Sequence, residues 1–140
     1  MGLDTFAKIG ANTDHSVVKV VKEEDGKERM VIKASIYAKV GSLCGGMFSG
    51  NGNNGSFRGK VYSEFVEEVT GESLYQENIT NDVVGEMATD LRLTADEYVD
   101  DKDDKVIRFD PYEITVGEVK ALADWFEITA ENGLEICGWW

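Results

Sequence analysis

The chain has 140 residues, 42% of them hydrophobic and only one proline, which describes one folded domain over residues 1–140 and excludes a disordered chain. Twenty-seven acids against fourteen bases leave a formal charge of −13, a field that repels nucleic-acid phosphates and anionic membrane surfaces. No apolar run approaches the ~20 residues that span a bilayer, so neither direct nucleic-acid binding nor a membrane is expected.

The pattern of a secretory signal is missing from the first residues, and a cytoplasmic protein is expected. Cys44 and Cys137 then read as two free thiols. They share no ligand spacing with the only histidine, His15, so neither a metal nor a cofactor is expected.

Residues 16–21 are rich in valine and lead to Asp25-Gly26. That dipeptide supplies the positive φ angles of a type I′ turn and predicts a hairpin. Its second arm alternates, with Ile32, Ala34, Ile36, Ala38 and Val40 on one face and Lys33, Ser35, Tyr37 and Lys39 on the other. Period two predicts a half-buried antiparallel strand reaching Val40.

Over residues 41–59 the pattern breaks. Seven of the fifteen glycines fall there, among Asn51, Asn53 and Asn54, so a loop is expected, either mobile or functional. Gly50, Gly52 and Gly55 match a dinucleotide fingerprint as a bare string. The mechanism needs that string between a strand and a helix N-terminus, and here neither element adjoins it.

Helical spacing follows. Val61, Tyr62, Phe65, Val66 and Val69 form one stripe over residues 60–70, closed by Gly71. Val83, Val84, Met87, Ala88 and Leu91 form another over residues 82–91, capped by Thr80 or Asn81. Residues 96–104 are acidic and lack the alternating ligands, glycine and distal glutamate of a calcium loop, so they read as a solvated turn. Residues 105–109 predict a short strand before Asp110-Pro111.

Thr115 and Glu118 have the spacing of a capping box and predict a helix over residues 116–131. Asn132-Gly133 stops it, and residues 134–140 predict a final strand. This helix is nearly apolar around its girth. Val116, Val119, Leu122, Ala123, Phe126 and Ala130 form the main stripe, and Ala121, Trp125 and Ile128 a second arc. Such a helix is either central in the fold or docked on another chain. Together these elements predict an α+β fold: an antiparallel sheet of three to five strands with two or three helices packed on one face.

Three segments carry a resemblance. The chain opens Met1-Gly2-Leu3-Asp4, its centre reads Ser56-Phe57-Arg58-Gly59-Lys60-Val61-Tyr62-Ser63, and its tail runs from Trp125-Phe126-Glu127 through Asn132-Gly133-Leu134. In that order they resemble a family of small uncharacterised proteins common in phages and prophages. The resemblance implies a phage-related setting inside a bacterial host cell and no mechanism.

No serine, histidine and carboxylate assemble into a catalytic pattern, so no catalytic residue is assigned. The reading is a non-catalytic phage or prophage accessory protein that binds another protein, of the host or otherwise. The candidate interface is Trp125, Ile128, Trp139 and Trp140, which also allows a homodimer. The alternative is a small-ligand or nucleotide-processing enzyme that uses the loop at residues 41–59 as a lid. Phe57, Arg58, Tyr62 and Ser63 would then hold an anionic ligand. A sharper reading of the acidic charge is a decoy for a basic nucleic-acid-binding site.

Overall fold

The computed structural model describes residues 2–140; Met1, and with it the first residue of the opening motif, lies outside the described residues. Strand β1 (Asp4–Lys8) is central to a three-stranded antiparallel sheet in the order β4-β1-β7, with β4 at Ser56–Phe57 and β7 at Glu135–Trp139. Strands β2 (Val18–Lys22) and β3 (Glu28–Ile32) form a separate hairpin. Strands β5 (Val106–Arg108) and β6 (Ile114–Thr115) form a third small sheet around the cis Asp110-Pro111 bond. Helices α1 (Gly59–Thr70), α2 (Asn81–Asp96) and α3 (Val116–Glu131) complete an α+β fold with every described pairing antiparallel. None of the described helices is long and apolar enough to cross a membrane.

The capping box forms as its spacing predicts: the Thr115 hydroxyl accepts from the Glu118 amide at 3.2 Å, and the Glu118 carboxylate accepts from the Thr115 amide at 3.0 Å. Helix α3 is central in the fold. Val119, Ala121, Leu122, Ala123, Trp125 and Phe126 are all buried. Helix α2 covers one side and the segment around Tyr37 another. Trp125 anchors the core, stacked on Tyr37 at 5.6 Å and edge-on to Phe57 at 4.9 Å and Phe126 at 5.2 Å. Gly133 ends the helix at φ +68°, where a β-carbon would lie 1.9 Å from the Asn12 carbonyl oxygen. Only glycine lets the chain after β1 cross the helix end so closely.

Two expectations are corrected. The strand predicted to reach Val40 stops at Ile32 and gives way to a 3₁₀ turn over Ala34–Tyr37. Bonds from Ile36 N to Lys33 O, Ala38 N to Ser35 O and Val40 N to Tyr37 O wind the chain three residues at a time. That spacing buries Tyr37 and Val40, which an alternating strand would have set on opposite faces. Packing against Trp125, with a 2.8 Å bond between the Tyr37 and Thr129 hydroxyls, outweighs the local alternation.

The hairpin forms, but not with a type I′ turn. Gly26 alone has positive φ, at +84°. Asp25 instead accepts the Lys27 amide on its side chain at 2.9 Å, and a three-residue loop closes with a glycine bulge.

Helix α2 extends beyond the predicted Leu91 to Asp96, which buries Ala95. In the acidic run after it, Asp101 pairs with Lys105 at 3.3 Å and Asp103 with Lys120 at 3.0 Å. Cys44 and Cys137 are free thiols.

Candidate functional site

The glycine-rich segment is tied down along its length. Leu43 N donates to Asn51 O at 2.8 Å, Arg58 N to Cys44 O at 2.7 Å, and Gly52 N and Gly50 N to the carbonyl and hydroxyl of Ser56, each at 2.8 Å. The amides of Gly50 and Gly52, which a dinucleotide would need, are thus already used. Leu43 is buried and a β-carbon on Gly55 would lie 3.3 Å from the Tyr37 ring, so the segment packs on the core.

One part of it stands out from the body. The Gly46 amide donates to the Ser49 hydroxyl at 2.9 Å, and that hydroxyl donates to the Asp4 carboxylate at 2.6 Å. This latch needs glycine at position 46, where a β-carbon would meet the Asp4 carboxylate at 2.1 Å. It presents Met47 and Phe48 to solvent, 85% and 60% exposed. The β1–β7 register sets Asp4 opposite Trp139, and Phe48 meets the Trp139 ring edge-on at 4.8 Å. Trp140 lies next in chain, edge-on to Tyr75 at 5.6 Å. Trp139 and Trp140 remain 53% and 48% exposed.

These side chains wall a cleft of about 420 Å³, completed by Gly2, Leu3, Asp4 and Arg58. Arg58 precedes the first turn of α1. Among the described residues no carboxylate lies within ion-pair distance of it. Among the described residues, the cleft's side chains offer aromatic and thioether surface around the Arg58 cation, with the Asp4 carboxylate hydrogen-bonded to Ser49.

The proposed ligand set separates. Only Arg58 faces the cleft. Phe57 and Ser63 are buried. Tyr62 is buried too, and its hydroxyl accepts from the Cys44 amide at 2.8 Å while donating to the Glu118 carboxylate. Burial, and then the bond to Glu118, hold that phenol well above its ordinary pKa, so it is a fixed neutral strut. Tyr62 does not line the cleft that Arg58 borders, so of the four residues the structure places only Arg58 there.

The interface set separates as well. Trp125 is fully buried and Ile128 packs half-buried on the core, whereas Trp139 and Trp140 are exposed. The structure thus unites Arg58 from one set with Trp139 and Trp140 from the other. Asp4, Met47 and Phe48 complete the cleft, and the sequence reading assigned no role to them. The available signal was Met47-Phe48, a large apolar pair amid glycine and asparagine with no core periodicity to explain it. No group of three or more histidine, cysteine or acidic side chains poised for a metal occurs among the described residues. Comparison with known protein families, curated proteins and solved structures found no match, so the reading of the cleft rests on its own geometry.

Proposed function

We propose that this chain is a non-catalytic binding protein of a phage or prophage setting, and that it grips another protein through the cleft around Trp139. The observation that carries the reading is the convergence of four exposed large apolar side chains, Met47, Phe48, Trp139 and Trp140, on the cation of Arg58. Tryptophan, arginine and methionine are the residue types enriched at interface centres, where they bury apolar area around a charged anchor. Isolated exposed apolar residues need no explanation, but a contiguous cluster in a concave site does. An acidic body beside it disfavours nucleic acid and suits a partner surface that is apolar at its centre and basic at its rim.

The test is affinity capture from infected or lysogenic bacterial cells with parallel baits: the unaltered chain, Trp139→Ala, Arg58→Ala, and Val20→Ala as a distant control. A partner that binds here should be retained by the first and last baits. Trp139→Ala should weaken it by at least about 2 kcal/mol, the cost of a hot-spot truncation. Equal capture by all four baits would sink the proposal. Light scattering on the same proteins separates a foreign partner from a second copy, since a homodimer through this face dissociates on Trp139→Ala.

A volume of about 420 Å³ is also within the range of small-molecule sites. That keeps a second reading in view, an apolar carboxylate seated on Arg58. Its mark is quenching of tryptophan fluorescence by indole-3-acetate in the unaltered chain and not in Arg58→Ala.

A further inference from the structure

A second groove, of about 610 Å³, lies at the other end of β1, between the hairpin and the main sheet. Its lining is informative because it is consecutive. Phe6, Ala7, Lys8 and Ile9 border one side, and Arg29, Met30, Val31 and Ile32 the other. A groove on a sheet face would be lined by alternate residues, since neighbours along a strand point to opposite faces. Runs of consecutive residues mean that strand edges form its walls.

The β3 wall offers free backbone. Glu23 N donates to Lys27 O and Lys33 N to Val17 O, at 2.8 and 2.7 Å, so both ends of the hairpin fix the same alternation of bonded and non-bonded pairs. Bonded pairs are then Val21 with Arg29 and Lys19 with Val31. Glu28, Met30 and Ile32 direct their amides and carbonyls outward. Among the described residues nothing else bonds to those outward groups. The opposite wall is open on its β4 side only past Ala7, where the 2.8 Å bond from Ala7 N to Gly55 O ends the pairing.

The hairpin itself is incomplete as a sheet. Two strands alone are marginal in water, and here Val20 and Met30 are 61% and 54% exposed. Charge selects the occupant. Among the described residues, the only ionic side chains lining the groove are Lys8 and Arg29. Residues 1–40 carry seven bases and six acids, against seven bases and twenty-one acids in the remaining hundred residues. Residues 1–40 therefore lack the acidic excess that the remaining hundred residues carry as a whole. Lys8 is engaged by the Asn78 side chain at 3.1 Å, and Arg29 by Glu23 at 2.8 Å in a largely exposed pair, which a competing carboxylate can displace at little cost.

We propose that this groove is a strand-addition site for an extended acidic segment of a partner protein. The segment lies along β3 as a third strand, its backbone bonded to Met30 and Ile32 and its carboxylates set on Lys8 and Arg29. The site is distinct from the aromatic cleft and does not depend on it.

The probe is a short synthetic peptide alternating valine and glutamate, added to the full chain while amide exchange is followed residue by residue. The Met30 and Ile32 amides should slow by about tenfold or more as the peptide saturates, and added salt should weaken the effect. The same peptide methylated on alternate backbone nitrogens, or carrying lysine for glutamate, should give no protection. Lys8→Gln with Arg29→Gln should bind the glutamate peptide about tenfold more weakly, with exchange in α3 unchanged as proof of folding. The proposal is overturned by unprotected Met30 and Ile32 amides, or by equal binding of the methylated or lysine peptide. Protection that rises with protein concentration alone would overturn it too, since the edge would then belong to a second copy of this chain.

Discussion

The helical body and the β2–β3 hairpin are built on opposite principles. In the body, Trp125, Phe126, Phe57 and Tyr37 interlock with no exposed area worth the name, and even polar Thr129 is fully buried with its hydroxyl bonded to Tyr37. In the hairpin no residue of either strand is fully buried, and its register is held by backbone bonds and one turn. Both are regular secondary structure. The difference is that the body's elements are fixed by what they bury, while the hairpin's are fixed mainly by each other, with Ile32 packed against the core. The body should therefore stay folded when the hairpin opens locally.

The contrast can be broken most severely at Trp125. Trp125→Ala leaves a void bounded by three aromatic rings. It should cost about 3–5 kcal/mol in urea unfolding, a large share of the about 5–15 kcal/mol that holds an ordinary domain folded. A loss below about 1 kcal/mol would mean that the core does not depend on this ring.

Tyr62→Phe comes next. It keeps the packing but leaves the Cys44 amide and the Glu118 carboxylate without their shared partner, at about 1–3 kcal/mol. The hairpin should respond far less. Val20→Ala, at an exposed site, should stay within about 0.5 kcal/mol. Without peptide, the bonded Val31 amide should exchange far faster than that of Phe126 in α3. Equal protection of the two would erase the proposed division.

The smallest effect is electrostatic. The Ser16 amide, 2.9 Å from the Asp14 carboxylate, holds that carboxyl below its ordinary value of 3.8. A pKa depressed by folding stabilises the folded form once the pH exceeds the ordinary value, and that contribution fades as pH falls through the depressed one. An NMR titration should therefore find Asp14 ionising below 3.8. Asp14→Asn should remove a slight stability advantage at neutral pH and none in strong acid.

Much of this division was legible in the residues and some of it was not. Helix α3 could be read to its end residues because its signals are local: a capping box, an apolar stripe and a glycine stop. The segment after Ile32 misled because alternation is only a proxy for burial. Tyr37 sat on the nominally polar face, and its partner Trp125 lies far along the chain. Strand β1 went unread because its five residues carry no alternation. It is covered by strands on both edges, and its burial grades along its length instead of from face to face.

The cleft shows the same limit. Arg58, Trp139 and Trp140 could each be singled out, but in two unrelated sets. Joining them needs the β1–β7 register and the latch between Ser49 and Asp4, neither of which has a local signature.

Glu118 makes one carboxylate answer for three parts of the molecule. It closes the first turn of α3, holds the Tyr62 hydroxyl of α1, and through that hydroxyl steadies the Cys44 amide at the root of the glycine-rich segment. Fraying at the start of the last helix is therefore felt three residues from Met47, although the two never touch. The footing of the proposed tryptophan face is thus tied, through Tyr62, to the start of the last helix.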